Sequence, residues 1–411
     1  MNLNNKPRSK PKLPLETFRL RHFKAVRDSG LITFTPLTVF IGNNGSGKSS
    51  LIEGLETFQN IVLYGLDEAF QPWRGFEHAW NQAVSHGLKE NQVGEKEPAN
   101  TMCFEITGLF SGSIPFAGHV EIGTDNEGNQ LLIKHEDLST PVSPLAQSQD
   151  KEKTPQFRVK DYAWIEHVRQ WQFLNLEPRL MLDPKPETRT TRDIRLARDG
   201  SNIAQYLQSI ADQDPAALDG IVDTLKSVLP FATDLRPAIT KELQRTVYLR
   251  LNEKGIEEPL VGWLLSQGTL RIVALLAVLR HPKPPSVVFI EELENCLDPR
   301  TIHLLVEEIR SFLQSGGQVV ATTHSPYLLD LLDLSHLIVV ERSDSGAPTF
   351  GVLQNESSKA GRKRSLPVSS TQWGTLRRIE LWRPPKIKSD SYSSAVAKVR
   401  TTKSASTCWK S

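Results

Sequence analysis

The run Leu37-Thr38-Val39-Phe40-Ile41 passes directly into Gly42-Asn43-Asn44-Gly45-Ser46-Gly47-Lys48-Ser49-Ser50, and this junction restricts the fold more than any other stretch. A strand that is apolar along its whole length is buried on both faces, which places it inside a parallel sheet. Glycines at 42, 45 and 47 let the backbone curl until several N–H groups converge. A helix expected over roughly Lys48–Leu63 turns its positive end onto the same point. Strand, loop and helix together satisfy GxxxxGK[ST], a cradle for a polyphosphate. Residues Gly42, Asn43, Asn44, Gly45, Ser46, Gly47, Lys48, Ser49 and Ser50 are the candidate contacts. In that reading the Lys48 ammonium lies between the β- and γ-phosphates of ATP, and the Ser49 hydroxyl ligates Mg²⁺.

A second buried strand, Val287-Val288-Phe289-Ile290, ends in Glu291-Glu292. Parallel sheets bind ligands at the carboxyl ends of their strands, so these acids fall where the phosphates would be. Phosphoryl transfer uses one acid for the metal and one to polarise water. Glu291 is the candidate for the metal and Glu292 for the water, with Glu294 close enough to compete for the second role.

Alternation of strands and helices continues through the chain and predicts an α/β fold. The helix in WLLSQGTLRIVALLAVL is followed by SVVFIEELE, a helix over Thr301–Ser315, a last buried strand GQVVATTH and a short helix over Ser325–Leu332. The organisation expected is a flexible basic arm over 1–15 and the first part of the core over 16–74. An inserted lobe of β hairpins and then helices covers 75–255, the second part of the core 256–354, and a basic tail 355–411. Within the lobe, Met102–Leu109, His119–Ile122 and Leu131–Lys134 read as short strands. Ser201 reads as the N-cap of an amphipathic helix, and Asp214-Pro215 starts another.

Taken together, these motifs resemble the ABC-type P-loop ATPase class that includes RecF-like and SMC-like heads. More narrowly, they resemble single-chain AAA/ABC ATPases of bacterial DNA-repair and defence contexts. The segment from Phe23-Lys24-Ala25-Val26 to Ser50 is similar to the N-terminal lobe of that class. LSQGTLR resembles its signature loop, IEELENCLDP its Walker B strand and D-loop, ATTHSPYLLD its switch histidine, and DGSNIAQYL a segment of the narrower family. The resemblance implies an ABC-type head with a largely parallel core sheet, an N-terminal antiparallel β segment and an inserted α+β lobe. It further implies that Ser266 and Gly268 contact a γ-phosphate held by a second subunit, that Asp298 is the D-loop acid and that His324 reads the γ-phosphate. A homodimer bridged by ATP follows, with DNA and a partner effector protein as further binding candidates. Gln267 and Thr269 depart from the usual LSGGQ, and Glu291 stands where aspartate is usual. Gln71 and Gln82 are the candidates for a Q-loop glutamine.

The formal net charge of +2 hides an asymmetry, since residues 355–411 hold 13 Lys and Arg against 3 Asp and Glu, a balance of +10, leaving −8 for the rest. A basic tail with Trp373, Trp382 and Trp409 suits either nucleic-acid phosphates and bases or plain solvation. Cys103, Cys296 and Cys408 fit neither a metal spacing nor a disulfide framework, and no apolar run reaches a membrane-spanning length. The expectation is therefore a cytoplasmic protein with no membrane partner. An ATPase regulating a separately encoded nuclease, as in OLD-like systems, is the alternative. A transporter ATPase fits less well because of the long insertion between Lys48 and Ser266.

Overall fold

The computed structural model describes residues 12–81, 101–110, 114–125, 130–139, 162–189, 193–241, 244–343 and 346–352. Residues 1–11, Gln82 and the basic tail with its tryptophans lie outside them. The elements run β1 (Thr17–Phe23), β2 (Val26–Asp28), β3 (Ile32–Thr33), β4 (Leu37–Ile41), α1 (Lys48–Tyr64), α2 (Leu66–Phe70) and α3 (Phe76–Ala79). Next come β5 (Thr101–Phe110), β6 (Ile114–Thr124), β7 (Leu131–Ser139), α4 (Tyr162–Arg169), β8 (Trp171–Leu174), β9 (Lys185–Pro186), α5 (Ile203–Gln213) and α6 (Pro215–Val228). Three more strands follow: β10 (Ala232–Ile239), β11 (Thr246–Glu253) and β12 (Leu260–Val261). The last part is α7 (Gln267–Leu279), β13 (Val287–Ile290), α8 (Pro299–Gln314), β14 (Gln318–Thr323), α9 (Pro326–Asp330), β15 (Leu337–Arg342) and β16 (Pro348–Val352).

The central sheet has the order β16-β15-β4-β14-β13-β8, parallel throughout except for β16. Its strands are apolar on both faces because both faces are covered. Phe40, Val287, Phe289, Val320, Ile338 and Val340 join the core that also contains α1 and an antiparallel sheet ordered β2-β1-β5-β6-β7. The intervening residues Val39, Ile41, Val288, Ile290, Val319 and Ala321 are equally buried on the opposite face. There α8 packs on β14, and α7 and α6 pack on α8. Phe58 of α1 anchors the space between the sheets, its ring centroid lying 6.1 Å from those of Phe104 and Trp164 and 6.4 Å from that of Trp171.

Three expectations change. Packing begins before Glu16: Leu13 and Leu15 are buried, and Leu15 exchanges hydrogen bonds with the Gln318 side chain at 3.0 and 2.8 Å. The two leucines in an otherwise basic stretch are what secure it. The stretch 75–255, expected as one lobe, is shared out instead. β5–β7 extend the sheet of β1, β8 forms the edge of the parallel sheet, and β9–β12 make a small sheet of their own. Finally, α5 starts at Ile203 with Asn202, not Ser201, at the N-cap. The Asn202 side chain caps nothing in α5; it binds the Ala197 N–H at 2.7 Å and the Arg195 carbonyl at 2.8 Å, holding the preceding loop.

Candidate functional site

The site lies at the carboxyl ends of three neighbouring strands. Thr323 of β14 is level with Ile41 of β4, and Ala321 is level with Ile290 of β13. The glycine loop after Ile41, the acids after Ile290 and His324 after Thr323 therefore emerge at one edge of the sheet. Gly42, Gly45 and Gly47 all have positive φ, at 154°, 73° and 111°. At Gly42 a Cβ would stand 2.1 Å from the Val340 carbonyl oxygen, so no larger residue fits. Two features of α1 suit an anion: its N-cap, Gly47, offers no side-chain bond, and its first turn has no acid. Lys48 is buried, and its Nζ donates to the carbonyls of Gly42 at 2.8 Å and Asn43 at 3.0 Å. Burial pushes the Lys48 ammonium below the usual lysine range, while the charges of Glu292 and Glu294 pull it back up. The loop lysine and the acids after β13 thus share one field. Ser49 is exposed, whereas Ser46 and Ser50 are buried.

The acids divide sharply by environment. Glu291 is buried, and its Oε1 accepts from Arg198 Nη2 at 2.7 Å. Arg198 also reaches Glu56 of α1, Nε to Oε2, at 3.3 Å. Burial pushes the Glu56 carboxyl up to about 7, against the pull of Arg198 and with added repulsion from Glu291 and Glu53. One guanidinium therefore bridges the helix after the glycine loop and the strand that ends in acids. Glu292 is exposed and held at φ 49°, a left-handed backbone that costs a glutamate about 1–3 kcal/mol. Its N–H donates to Thr322 Oγ1 at 2.9 Å, and its carbonyl accepts from Arg271. Arg271, 1% exposed, also donates to the carbonyls of Glu291 and Leu176, each at 3.0 Å. Glu294 accepts from Thr323 Oγ1 and the His324 N–H, both at 2.7 Å, which ties the end of β14 to the acidic turn.

Ser266 caps α7, its Oγ accepting from the Thr269 N–H at 3.0 Å. Thr269, in the place of a usual glutamine, completes the cap with its hydroxyl 2.8 Å from Ser266 Oγ. A Cβ at Gly268 would stand 2.6 Å from the Cys296 carbonyl oxygen, so the start of α7 lies directly on the turn that follows Glu292. Asp298 is the N-cap of α8, accepting from the Arg300 and Thr301 N–H groups at 2.9 and 3.2 Å. Its Thr301 hydroxyl contact is the main cause of a carboxyl held below the usual range. In this chain Asp298 shapes the loop through its cap. Gln71 lies exposed in a short 3-10 turn after α2.

Mg²⁺ takes hard oxygen donors, and the Ser49 hydroxyl and the Glu291 carboxylate are such donors. Arg198 takes one oxygen of Glu291 and leaves the other for a metal or its water. The residues fit the ion. Arg198 and Arg271 escaped the sequence reading. For Arg271 there was a signal, a single cation inside the otherwise apolar run LRIVALLAVL.

A family model described as "AAA domain, putative AbiEii toxin, Type IV TA system" matches residues 37–330. The fold is similar to an Smc head bound to the C-winged helix domain of ScpA, with a TM-score of 0.53, 14% identity and coverage of 83% of this chain and 98% of that one. It is also similar to the Smc head from Pyrococcus furiosus, with an extended coiled coil, bound to the C-terminal domain of ScpA: TM-score 0.51, 12% identity, and coverage of 83% and 96%. In sequence, an ABC transporter G family member from Petunia hybrida, STR2, is 26% identical over 128 residues, which are 29% of this chain and 18% of that protein. Among the described residues no helix is long and apolar enough to cross a membrane.

Proposed function

The chain belongs to the AAA-domain family whose model it matches over residues 37–330, and from that premise we propose that it hydrolyses ATP to drive the closing and opening of two heads. One observation carries this reading: the loop lysine, the exposed acid and the switch histidine emerge at level strand ends, with the charges of Glu292 and Glu294 acting on Lys48. Lys48 and the uncapped end of α1 neutralise the phosphates. The exposed Glu292 carboxylate orients the attacking water and accepts its proton, and His324 contacts the γ-phosphate. Ser49 and Glu291 would hold Mg²⁺, which would supply neutralisation of the phosphate charge.

Ser266 and Gly268 contact the γ-phosphate of a second copy across a two-fold axis. Trp263 and Leu264, 49% and 64% exposed immediately before the signature loop, support a surface that is covered when two heads close. The winged-helix domain bound to a similar Smc head supports a protein partner for this chain too. The putative toxin of a Type IV TA system named in the family description supports a role in defence, with DNA repair as the other context. DNA is a candidate ligand of the assembly.

The test is Glu292→Gln. The amide keeps shape and hydrogen bonding but cannot take the proton, so the variant should bind ATP·Mg²⁺ with the parent's affinity and turn over at least about 100-fold more slowly. Normal turnover would move the role to Glu291 or Glu294.

A further inference from the structure

On the antiparallel sheet, Met102, Phe104 and Ile106 of β5 enter the core, so Cys103 and Glu105 belong to the opposite row. On β6, Phe116, Val120 and Ile122 face the core and His119 and Glu121 the other way. The register sets Cys103 opposite Glu121 and Glu105 opposite His119. Cys103 Sγ lies 3.8 Å from His119 Nε2 and 3.9 Å from Glu105 Oε1, and His119 Nε2 lies 3.1 Å from Glu121 Oε1. The ligand atoms of Cys103, Glu105 and His119 all fall within 4.8 Å of one another. Among the described residues they are the only such group.

Tetrahedral zinc with bonds of about 2.3 Å to sulfur and about 2.0–2.2 Å to nitrogen and oxygen has ligand–ligand edges of about 3.3–3.6 Å. The two separations from Cys103 Sγ exceed those edges by only a few tenths of an ångström. A strand pair holds them there, which makes the group rigid as well as compact. The donor set is also selective, because a thiolate and an imidazole favour zinc over magnesium or calcium.

We propose that Cys103, Glu105 and His119 form a zinc site clipping β5 to β6, independent of the nucleotide site. The thiol binds as thiolate with its proton passing to solvent, and His119 binds through Nε2. Arg21 competes for the same corner, since its Nη2 donates to Cys103 Sγ at 3.4 Å and to Glu105 Oε1 at 2.9 Å. Zinc must displace that guanidinium from the sulfur. Glu105, Glu121 and His119 are each about 30% exposed at the side chain, so an ion reaches them from solvent.

The experiment is a Zn²⁺ and Co²⁺ titration of the full chain, free of any affinity tag and of nucleotide. The proposal expects one equivalent bound, with the thiolate-to-cobalt charge-transfer band and the visible bands of tetrahedral cobalt. Cys103→Ser and His119→Gln should each weaken binding at least about tenfold. Cys296→Ser and Cys408→Ser should leave it unchanged, and Arg21→Gln should tighten it by removing the competitor. Far-UV circular dichroism and thermal unfolding of the metal-free variants check that each has folded. The proposal is overturned by no stoichiometric binding in the parent, by binding equal to the parent's in folded Cys103→Ser and His119→Gln, or by cobalt spectra without the thiolate band.

Discussion

Replacing Glu56 by glutamine isolates the electrostatics of the bridge between α1 and β13. The Glu56 carboxyl is pushed up to about 7 from 4.5, chiefly by burial. Its folded-state value lies above the unfolded one, so the folded protein binds the proton more tightly. Stability therefore falls as pH rises from about 4.5 to about 7 and levels off above that. At about 1.4 kcal/mol per unit, the full effect is on the order of 3 kcal/mol, of which roughly 2–3 kcal/mol falls between pH 5 and 8. The glutamine removes the titration and also the 3.3 Å contact with Arg198. That exposed guanidinium makes the lost ion pair worth about 1 kcal/mol or less. Urea unfolding at pH 5, 6, 7 and 8 reads the difference directly. Glu56→Gln should match the parent near pH 5 and exceed it by roughly 1–2 kcal/mol at pH 8. A variant with the parent's pH slope, or one less stable at pH 8, refutes the argument.

Other perturbations probe separate parts of the account. Lys48→Ala removes a charge-assisted contact to phosphate and should weaken ATP binding by about tenfold or more in equilibrium titration. Equal affinity would contradict the cradle. Phe58→Ala empties the space between Phe104, Trp164 and Trp171 and should cost about 3–5 kcal/mol in denaturant unfolding. Gly268→Ala drives a Cβ to 2.6 Å from the Cys296 carbonyl and displaces the turn after Glu292. Hydrolysis should fall by up to about 100-fold with ATP affinity retained.

The elements that carry the glycine loop and the acids were legible because their causes are local. A strand buried on both faces is apolar at every residue, as in β13, or at all but one, Thr38, as in β4, and glycines at positive φ are visible as glycines. Packing across the sequence is different. Arg198 and Glu291 are 93 residues apart, and an arginine beside Asp199 gives no sign of which acid it will meet. Nor does the alternation in β5 show that β1 is its neighbour, since any strand with one apolar face would serve. The caps divide in the same way. Asp214 announces α6 through the proline that follows it, whereas the Asn202 side chain is taken up by hydrogen bonds to the loop before α5, which the two adjacent polar residues Ser201 and Asn202 do not distinguish in sequence.

The claim that ATP closes two heads is tested most directly by the mass of Glu292→Gln in light scattering, with ATP·Mg²⁺ and with ADP. The account predicts a dimer with ATP and a monomer with ADP. It also predicts that adding Ser266→Arg, at the exposed cap of α7, abolishes the dimer while ATP binding persists. A Glu292→Gln protein that binds ATP and remains monomeric at every concentration would contradict the two-head mechanism.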